Sequence, residues 1–246
     1  TLETLAEKHG YELTLLPVDH PGQEQKSQWL QIRREKPDYV IMWGWGVMNQ
    51  VAVQEAANIR FPMENFIGVW WSGAEFDVEP AGEKANGYKA LTFTGLGMDY
   101  PVYDDLKKYV VDAGKAAGAG DQLGTVQYNR GLYAAMLAAE AVKTAQEMHG
   151  TADIDASMMR DGMEALEITN AKMEGLGMAG FGPEFSVSCE NHGGPGLVGV
   201  VQWDAAAGTW NPVQDFKPTD VEVISALIEE DSGADAAENN ITPRCE

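Results

Sequence analysis

The residues that could carry out covalent chemistry are few, and they lie in one short segment. Cys189, Asn191 and His192 have the types found in a Cys–His catalytic set. Such a set needs side chains that converge in space, which so local a cluster seldom permits. The Asn-His-Gly-Gly run is instead typical of a turn. Nucleophile elbows, P-loops, HExxH and dinucleotide-binding glycine fingerprints are absent from the sequence. We therefore expect no catalytic residues and no enzyme.

Metal-binding patterns are also absent from the sequence. Two cysteines far apart match no zinc spacing, and no EF-hand loop is present. Asp77, Glu79 and Glu83 could approach one another, but Pro80 interrupts that segment. We expect no metal site and no cofactor.

Tryptophan is the residue whose placement calls for an explanation. Trp43, Trp45, Trp70 and Trp71 follow two strand-like runs and have glycine nearby. Strand alternation predicts that Trp43 and Trp45 lie on one side and that Trp70 and Trp71 are separated. Ordinary core aromatics are one interpretation. The other is an aromatic wall for a partly apolar, aromatic or quaternary-ammonium ligand.

The charge balance excludes one class of partner. The 246 residues include 17 basic and 38 acidic side chains, a net charge of −21. Nucleic-acid binding depends on neutralising phosphates with Lys and Arg, so we expect no nucleic-acid partner. We interpret the acidity as a solvated surface rather than a cation store. No apolar run approaches the roughly 20 residues needed to span a bilayer.

The elements that must position the tryptophans alternate in type. The predicted strands are 13–18, 39–43, 66–70 and 90–94, and the predicted helices are 25–35, 47–59 and a short broken one at 76–86. This alternation predicts an α/β fold with right-handed crossovers and a parallel sheet. Ligands of such sheets bind beyond the carboxyl ends of the strands. That rule indicates three segments, 43–46, 69–72 and 94–97.

The second half of the chain has a different pattern. Helices are predicted at 102–117, 127–148 and 157–166. Strands follow at 185–189, 197–203 and 210–216, and the last two form a hairpin. An acidic tail from 219 begins as a helix. At the start of the chain, Leu2, Leu5 and Ala6 share a helical face that Gly10 would end. We therefore expect the chain to begin inside an element and to be incomplete.

The order of several short segments is similar to that of a known family. These segments are Lys36-Pro37-Asp38-Tyr39-Val40-Ile41, Gly44, Gln54-Glu55-Ala56, Phe66-Ile67-Gly68, Pro80 to Tyr88, Tyr128 and Tyr133 to Leu137. Together they resemble the type I periplasmic solute-binding proteins of ABC transporters, the Leu/Ile/Val-binding family. No single segment is specific to the family by itself, but the resemblance covers essentially the whole chain.

The resemblance implies a fold and domain boundaries. The fold would be the type I periplasmic binding protein fold, with parallel-sheet lobes, flanking helices, a hinge and C-terminal return strands. Residues 1–96 would form part of the second lobe, 97–180 helices that pack on the first lobe, 181–218 return strands through the hinge, and 219–246 an acidic tail. Most of the N-terminal lobe would be missing.

The resemblance also implies a function. The chain would be the periplasmic substrate-binding subunit of an ABC importer, a monomer that captures a small organic solute for a permease and its ATPases. It would not span the membrane, and a signal peptide would lie outside these residues. A ligand-sensing receptor domain with the same fold is the alternative, and an α/β enzyme is a third hypothesis.

Family contacts carry over onto Trp45, Tyr128 and Trp70, with Trp71 beside the last. Trp43 and Ser72 complete the predicted ligand-binding set. The amino-acid binders of the family carry an acid where Trp70 stands, and that acid pairs with the ligand ammonium. A buried ammonium without it would cost several kcal/mol. The departure disfavours a branched-chain amino acid. It favours a carboxylate with an apolar or aromatic body, an amide, or a cation held by cation–π contacts.

Cys189 and Cys245 are either two free thiols or one disulfide on the sequence alone. The periplasmic setting that the resemblance implies favours the disulfide. It would tie the acidic tail to the strand near His192.

Overall fold

A computed structural model describes residues 1–118, 120–242 and 244–245, and in them helices and strands alternate. The helices are α1 (Leu2–His9), α2 (Lys26–Glu35), α3 (Val47–Ile59), α4 (Glu75–Val78), α5 (Val102–Leu106), α6 (Val126–His149), α7 (Ala156–Glu164), α8 (Asn170–Gly175) and α9 (Val221–Asn239). The strands are β1 (Val40–Met42), β2 (Phe66–Gly68), β3 (Lys89–Thr92), β4 (Glu167–Ile168), β5 (Phe185–Ser186), β6 (Leu197–Asp204) and β7 (Thr209–Pro218).

The main sheet has five strands in the order β1-β2-β3-β6-β7. Strands β1, β2 and β3 are parallel, β6 pairs antiparallel with β3, and β7 pairs antiparallel with β6. Strands β4 and β5 form a separate antiparallel pair. The predicted α/β class with a mostly parallel sheet and a C-terminal hairpin is confirmed.

One face of the main sheet forms the first core, which we call the sheet core. The parallel strands are joined by crossovers whose helices pack back onto the sheet, as right-handed βαβ connections require. Helix α3 contributes Ala52, Val53 and Ala56 to this core, and the strands contribute Phe66 and Ala90. All five are completely buried.

A second core lies among the helices, and we call it the helical core. Tyr103, Ile168, Met173 and Phe181 are almost fully buried there. The antiparallel pair β4–β5 and helix α8 contribute to it, and the sequence pattern predicted neither β4 nor α8. Both elements are short, with two and six residues, so they give little periodic signal.

The predicted strand at 13–18 is wrong, because these residues are not in a strand and join no sheet. Their apolar character has another use: Leu16 and Val18 pack against the sheet core. An apolar run of this length does not distinguish a strand from any other buried extended segment.

The helix predicted at 102–117 is also too long. Helix α5 ends at Leu106, a wider π turn covers Lys107–Val111, and Gly114 follows with a φ of 66°. This positive φ is accessible to glycine and ends the helical run. The tail helix α9 extends to Asn239, further than its weak pattern indicated.

The disulfide between Cys189 and Cys245 is confirmed, with Cα atoms 5.6 Å apart. Within the described ranges, no helix combines the length and apolar character needed to cross a membrane.

Candidate functional site

The four tryptophans of interest lie at the carboxyl ends of β1 and β2. Trp43 and Trp45 follow β1, and Trp70 and Trp71 follow β2. Their exposed fractions are 65%, 48%, 38% and 42%, so none of them is a core residue. Since β1 and β2 are parallel neighbours, both loops open at the same edge of the sheet.

The expected separation of Trp70 and Trp71 is wrong. Strand β2 ends at Gly68, and Trp70–Ser72 form a 3₁₀ turn, so strand alternation does not apply to them. The two indole rings lie 4.9 Å apart between centroids. Trp45 meets Trp71 edge-to-face at 5.9 Å. Three of the four tryptophans therefore form one contiguous aromatic surface.

The aromatic surface continues toward the helices. Trp70 contacts Phe93 edge-to-face at 5.3 Å, and Phe93 lies 6.4 Å from Tyr133 on α6. Tyr133 is a site residue that sequence reasoning missed, although it lies in the Tyr-Ala-Ala segment used for the family resemblance. Tyr133 is only 6% exposed and belongs to the helical core, and nothing in that segment distinguishes a core tyrosine that borders a cleft from any other core tyrosine.

A cleft of about 1060 Å³ borders this surface at Trp70, whereas Trp45 and Trp71 are not among the residues that line it. Trp43, Trp70, Phe93 and Tyr133 line one part of it. A second part is lined by aliphatic and methionine side chains from α6, α7, β6 and the residue after β5, namely Leu137, Met159, Met163, Val198 and Val187. Charged side chains are few, and they include Arg160, Glu164 and His192. The cleft can therefore hold apolar groups with little desolvation of polar ones.

Ser72 does not face the cleft. It is completely buried, and its hydroxyl donates a hydrogen bond to the Gly44 carbonyl oxygen at 2.9 Å. This bond joins the loop after β2 to the loop after β1. Ser72 therefore joins the two tryptophan loops and is not among the residues that line the cleft, and its contact with a ligand stays a prediction.

Two more buried polar residues hold these loops. The Asn49 amide donates to the Trp71 carbonyl oxygen at 2.9 Å and to the Asp77 carboxylate at 3.1 Å. The backbone N–H of Ala74 donates to the other oxygen of Asp77 at 3.0 Å. Burial raises the pKa of Asp77 to about 6, although both hydrogen bonds and the nearby Arg130 favour its charged form. The tryptophan loops therefore rest on a buried carboxylate that titrates near neutral pH.

Tyr128 does not line the cleft and makes no ring contact with a tryptophan among the described residues. Its ring is 6.1 Å from that of Tyr103, and it packs against the helical core. The structure therefore does not bring Tyr128 together with Trp45 and Trp70.

The Cys189–His192 segment has no free thiol, because Cys189 is in the disulfide. The His192 ring lies 3.4 Å from the Glu164 carboxylate, which also pairs with Arg244. Among the described residues, no three His, Cys, Asp or Glu side chains come together as a metal site would require.

Comparison with known proteins gives a consistent picture. The family model described as "Periplasmic binding protein" matches residues 1–209. A solved structure described as an ABC transporter permease from the Pseudomonas fluorescens group is 39% identical, with a TM-score of 0.91, over 99% of this chain and 58% of that one. None of the curated proteins matches this chain.

More distant structures share the fold. A branched-chain amino acid ABC transporter protein from Thermus thermophilus with bound valine is 18% identical, with a TM-score of 0.68, over 89% of this chain and 56% of that one. A solute-binding protein from R. palustris in complex with benzoate is 17% identical, with a TM-score of 0.59, over 89% and 55%. The chain thus spans a little over half the length of these structures.

Proposed function

The chain belongs to the periplasmic binding protein family, and from that premise we propose that it is part of the substrate-binding component of an ABC importer. Family members are solute-binding proteins rather than enzymes. The observation that carries the proposal is the exposed aromatic surface of Trp45, Trp70 and Trp71 at the carboxyl ends of parallel strands. Large aromatics left half exposed at that place suit capture of a small solute.

The proposed solute is a carboxylate with an apolar or aromatic body and no ammonium group. Trp70 stands where the family resemblance expects an acid. A buried α-ammonium would therefore lack its partner, at a cost of several kcal/mol. The aromatic rings offer area for a planar or aliphatic body.

Residues 97–180, in this proposal, also pack against a further lobe of the same family fold. The aliphatic part of the cleft, with Leu137, Met159 and Met163, is more extended than one small solute requires. An apolar surface of that kind is typical of a contact between protein lobes. The solute would then lie between the tryptophan surface and that lobe.

The proposed partners are a permease and its ATPases, and the proposed location is extracytoplasmic. The Cys189–Cys245 disulfide supports the location, because disulfides persist mainly in oxidising compartments. The net charge of −21 gives no support to a nucleic-acid partner.

Titration of the protein with benzoate and with valine, followed by tryptophan emission, tests the proposal. We expect benzoate to change the emission with a saturable curve and valine to bind more weakly. Trp70→Ala should weaken benzoate binding by about 1–3 kcal/mol, since it removes aromatic area from the surface.

Tyr39→Ala is the matched control. Tyr39 is an exposed aromatic that precedes β1, at the end of the strand opposite to Trp43. Its loss should leave benzoate affinity unchanged. Equal affinity in wild type, Trp70→Ala and Tyr39→Ala would remove the tryptophan surface from the binding site.

A further inference from the structure

One cationic side chain lies directly against the tryptophan surface. Arg130, in the second turn of α6, places its guanidinium carbon 5.2 Å from the centre of the Trp70 ring. A terminal nitrogen of the same guanidinium donates a hydrogen bond to the Trp70 carbonyl oxygen. One side chain thus holds both the ring and the backbone of the same tryptophan.

The charge of Arg130 is not used in a close ion pair. In the described part of the chain, no carboxylate oxygen lies within 4.0 Å of its nitrogens. Burial lowers the pKa of Arg130 to about 10, whereas the charges of Asp77 and Glu75 act in the opposite direction. The guanidinium therefore stays cationic at neutral pH. A desolvated cation over an indole is the arrangement in which a cation–π contact is strongest.

The guanidinium also keeps an unused donor. Its Nε is buried and has no hydrogen-bond partner among the described residues. A buried unpaired donor has a free-energy cost, so Arg130 is not placed here to complete a hydrogen-bond network. The two contacts with Trp70, to its ring and to its carbonyl oxygen, are the interactions that Arg130 makes from this position.

A second contact fixes the start of α6 to the same segment. The Glu75 carboxylate accepts hydrogen bonds from the backbone N–H of Val126, at 3.1 and 3.2 Å to its two oxygens. A carboxylate at a helix N-terminus is favourable for the helix. Helix α6 is therefore fastened at Val126 and at Arg130 to residues 70–75, and a displacement of α6 would carry Trp70 with it.

We propose that Arg130 is a positioning residue of the cleft, which holds the Trp70 indole in the orientation that receives the solute. The proposal rests on the proposed function. Arg130 itself is not among the residues that line the cleft, so it acts through Trp70. Without the guanidinium, the ring would sample other rotamers, and binding would then require it to be ordered.

The first test needs no ligand and uses near-UV circular dichroism, which reports the fixed environment of aromatic rings. Arg130→Met should change the spectrum of the wild-type protein and should change little in a Trp70→Phe background. Arg130→Lys keeps the cation and a donor and loses the planar group, so its spectrum should change less than that of Arg130→Met. Equal spectral changes for Arg130→Met in both backgrounds, or a wild-type spectrum for Arg130→Met, would overturn the proposal. Far-UV circular dichroism shows whether each variant is folded.

The second test repeats the benzoate titration. Arg130→Met should weaken benzoate binding by about 5- to 30-fold, the range of a partly desolvated cation–π contact. Unchanged affinity, in a variant whose Trp70 signal has changed, would overturn the link between ring orientation and binding. If wild type does not bind benzoate, the proposed solute has failed, and the spectroscopic test still decides whether Arg130 positions Trp70.

Discussion

The sheet half and the helical half of the molecule expose apolar groups of different kinds. Around the sheet, the exposed groups at the cleft are the indole rings of two loops, Trp43 and Trp70. Along the helices they are flexible or aliphatic side chains, such as Met163. Rigid rings with a polar edge suit a small solute, whereas an extended aliphatic surface suits another protein surface. The two halves therefore indicate two different contacts.

The two halves also differ in how their structure is held. Strands β1 and β2 have only three residues each, so their ladders contribute few hydrogen bonds. The loops after them depend on side-chain bonds from Asn49, Ser72 and Asp77. Helix α6, with 24 residues, satisfies all but the ends of its backbone by its own hydrogen bonds. The tryptophan surface is thus the part of the fold that depends most on a few buried polar residues.

The largest expected effect compares one side chain from each half. Phe66→Ala removes a completely buried ring from the sheet core and should lower the free energy of unfolding by about 3–5 kcal/mol. Met163→Ala removes a side chain that is 54% exposed and should change it by less than about 0.5 kcal/mol. Urea unfolding measures both.

A large loss for Met163→Ala would contradict the comparison. It would mean that the surface of α7 is already covered, and a lobe contact there would lose its support. A small loss for Phe66→Ala would mean that the sheet core refills the cavity.

The sequence alone predicted the elements whose apolar residues recur with a clear period. Helix α3 has the bounds that its pattern predicts, Val47–Ile59, because alanine and valine recur on the face that meets the sheet. The strand predicted at 13–18 is wrong because a strand needs a neighbouring strand to pair with, and a local pattern carries no information about that neighbour. The predicted separation of Trp70 and Trp71 is wrong for a related reason. Strand β2 ends at Gly68, two residues before Trp70, so strand alternation does not extend to this pair.

The candidate site was only partly predictable. The rule that ligands bind at the carboxyl ends of parallel strands led to the tryptophans. Arg130 gave no signal, because an arginine in a helix is usually a solvated residue and its contact with Trp70 joins positions 60 residues apart. Asn49 and Asp77 are similar, since each has a polar type that is common on surfaces and each is buried by distant segments.

The second expected effect concerns the covalent link in the helical half. The Cys189–Cys245 bond closes a loop with a sequence separation of 56 residues. Replacing both cysteines with serine should lower the free energy of unfolding by about 2–4 kcal/mol, because the unfolded chain regains freedom. Helix α9 has no buried residue, so its amides should also lose their protection in hydrogen exchange. Retained protection would show that other contacts hold α9.

The third effect is a pH dependence that belongs to the sheet half. The folded-state pKa of Asp77 is about 6, above the ordinary value of 3.8, so the folded protein binds this proton more readily than the unfolded chain. The contribution of Asp77 to the free energy of unfolding should therefore fall by about 2–3 kcal/mol as pH rises from about 4 to 6. Asp77→Asn should remove this part of the slope.

The difference between wild type and Asp77→Asn, measured by urea unfolding at several pH values, isolates the contribution of Asp77. Burial also raises the pKa of Glu75, and that slope should remain in both proteins. Parallel curves for the two proteins would show that Asp77 is less buried than the structure indicates.

The smallest effect tests how closely the helical half is packed. Gly162 of α7 lies against α6, where an added Cβ would come within 2.6 Å of the Ala145 Cβ and 2.8 Å of its nitrogen. Gly162→Ala should lower the free energy of unfolding by about 1 kcal/mol, because overpacking exceeds the gain in helix propensity. Gly131→Ala is the control, since a Cβ at that exposed position meets no atom within 4 Å and should stabilise α6. If thermal unfolding shows both variants to be stabilised, α6 and α7 can move apart at little cost. The helical half would then be the adaptable side of the cleft and the tryptophan loops the rigid one.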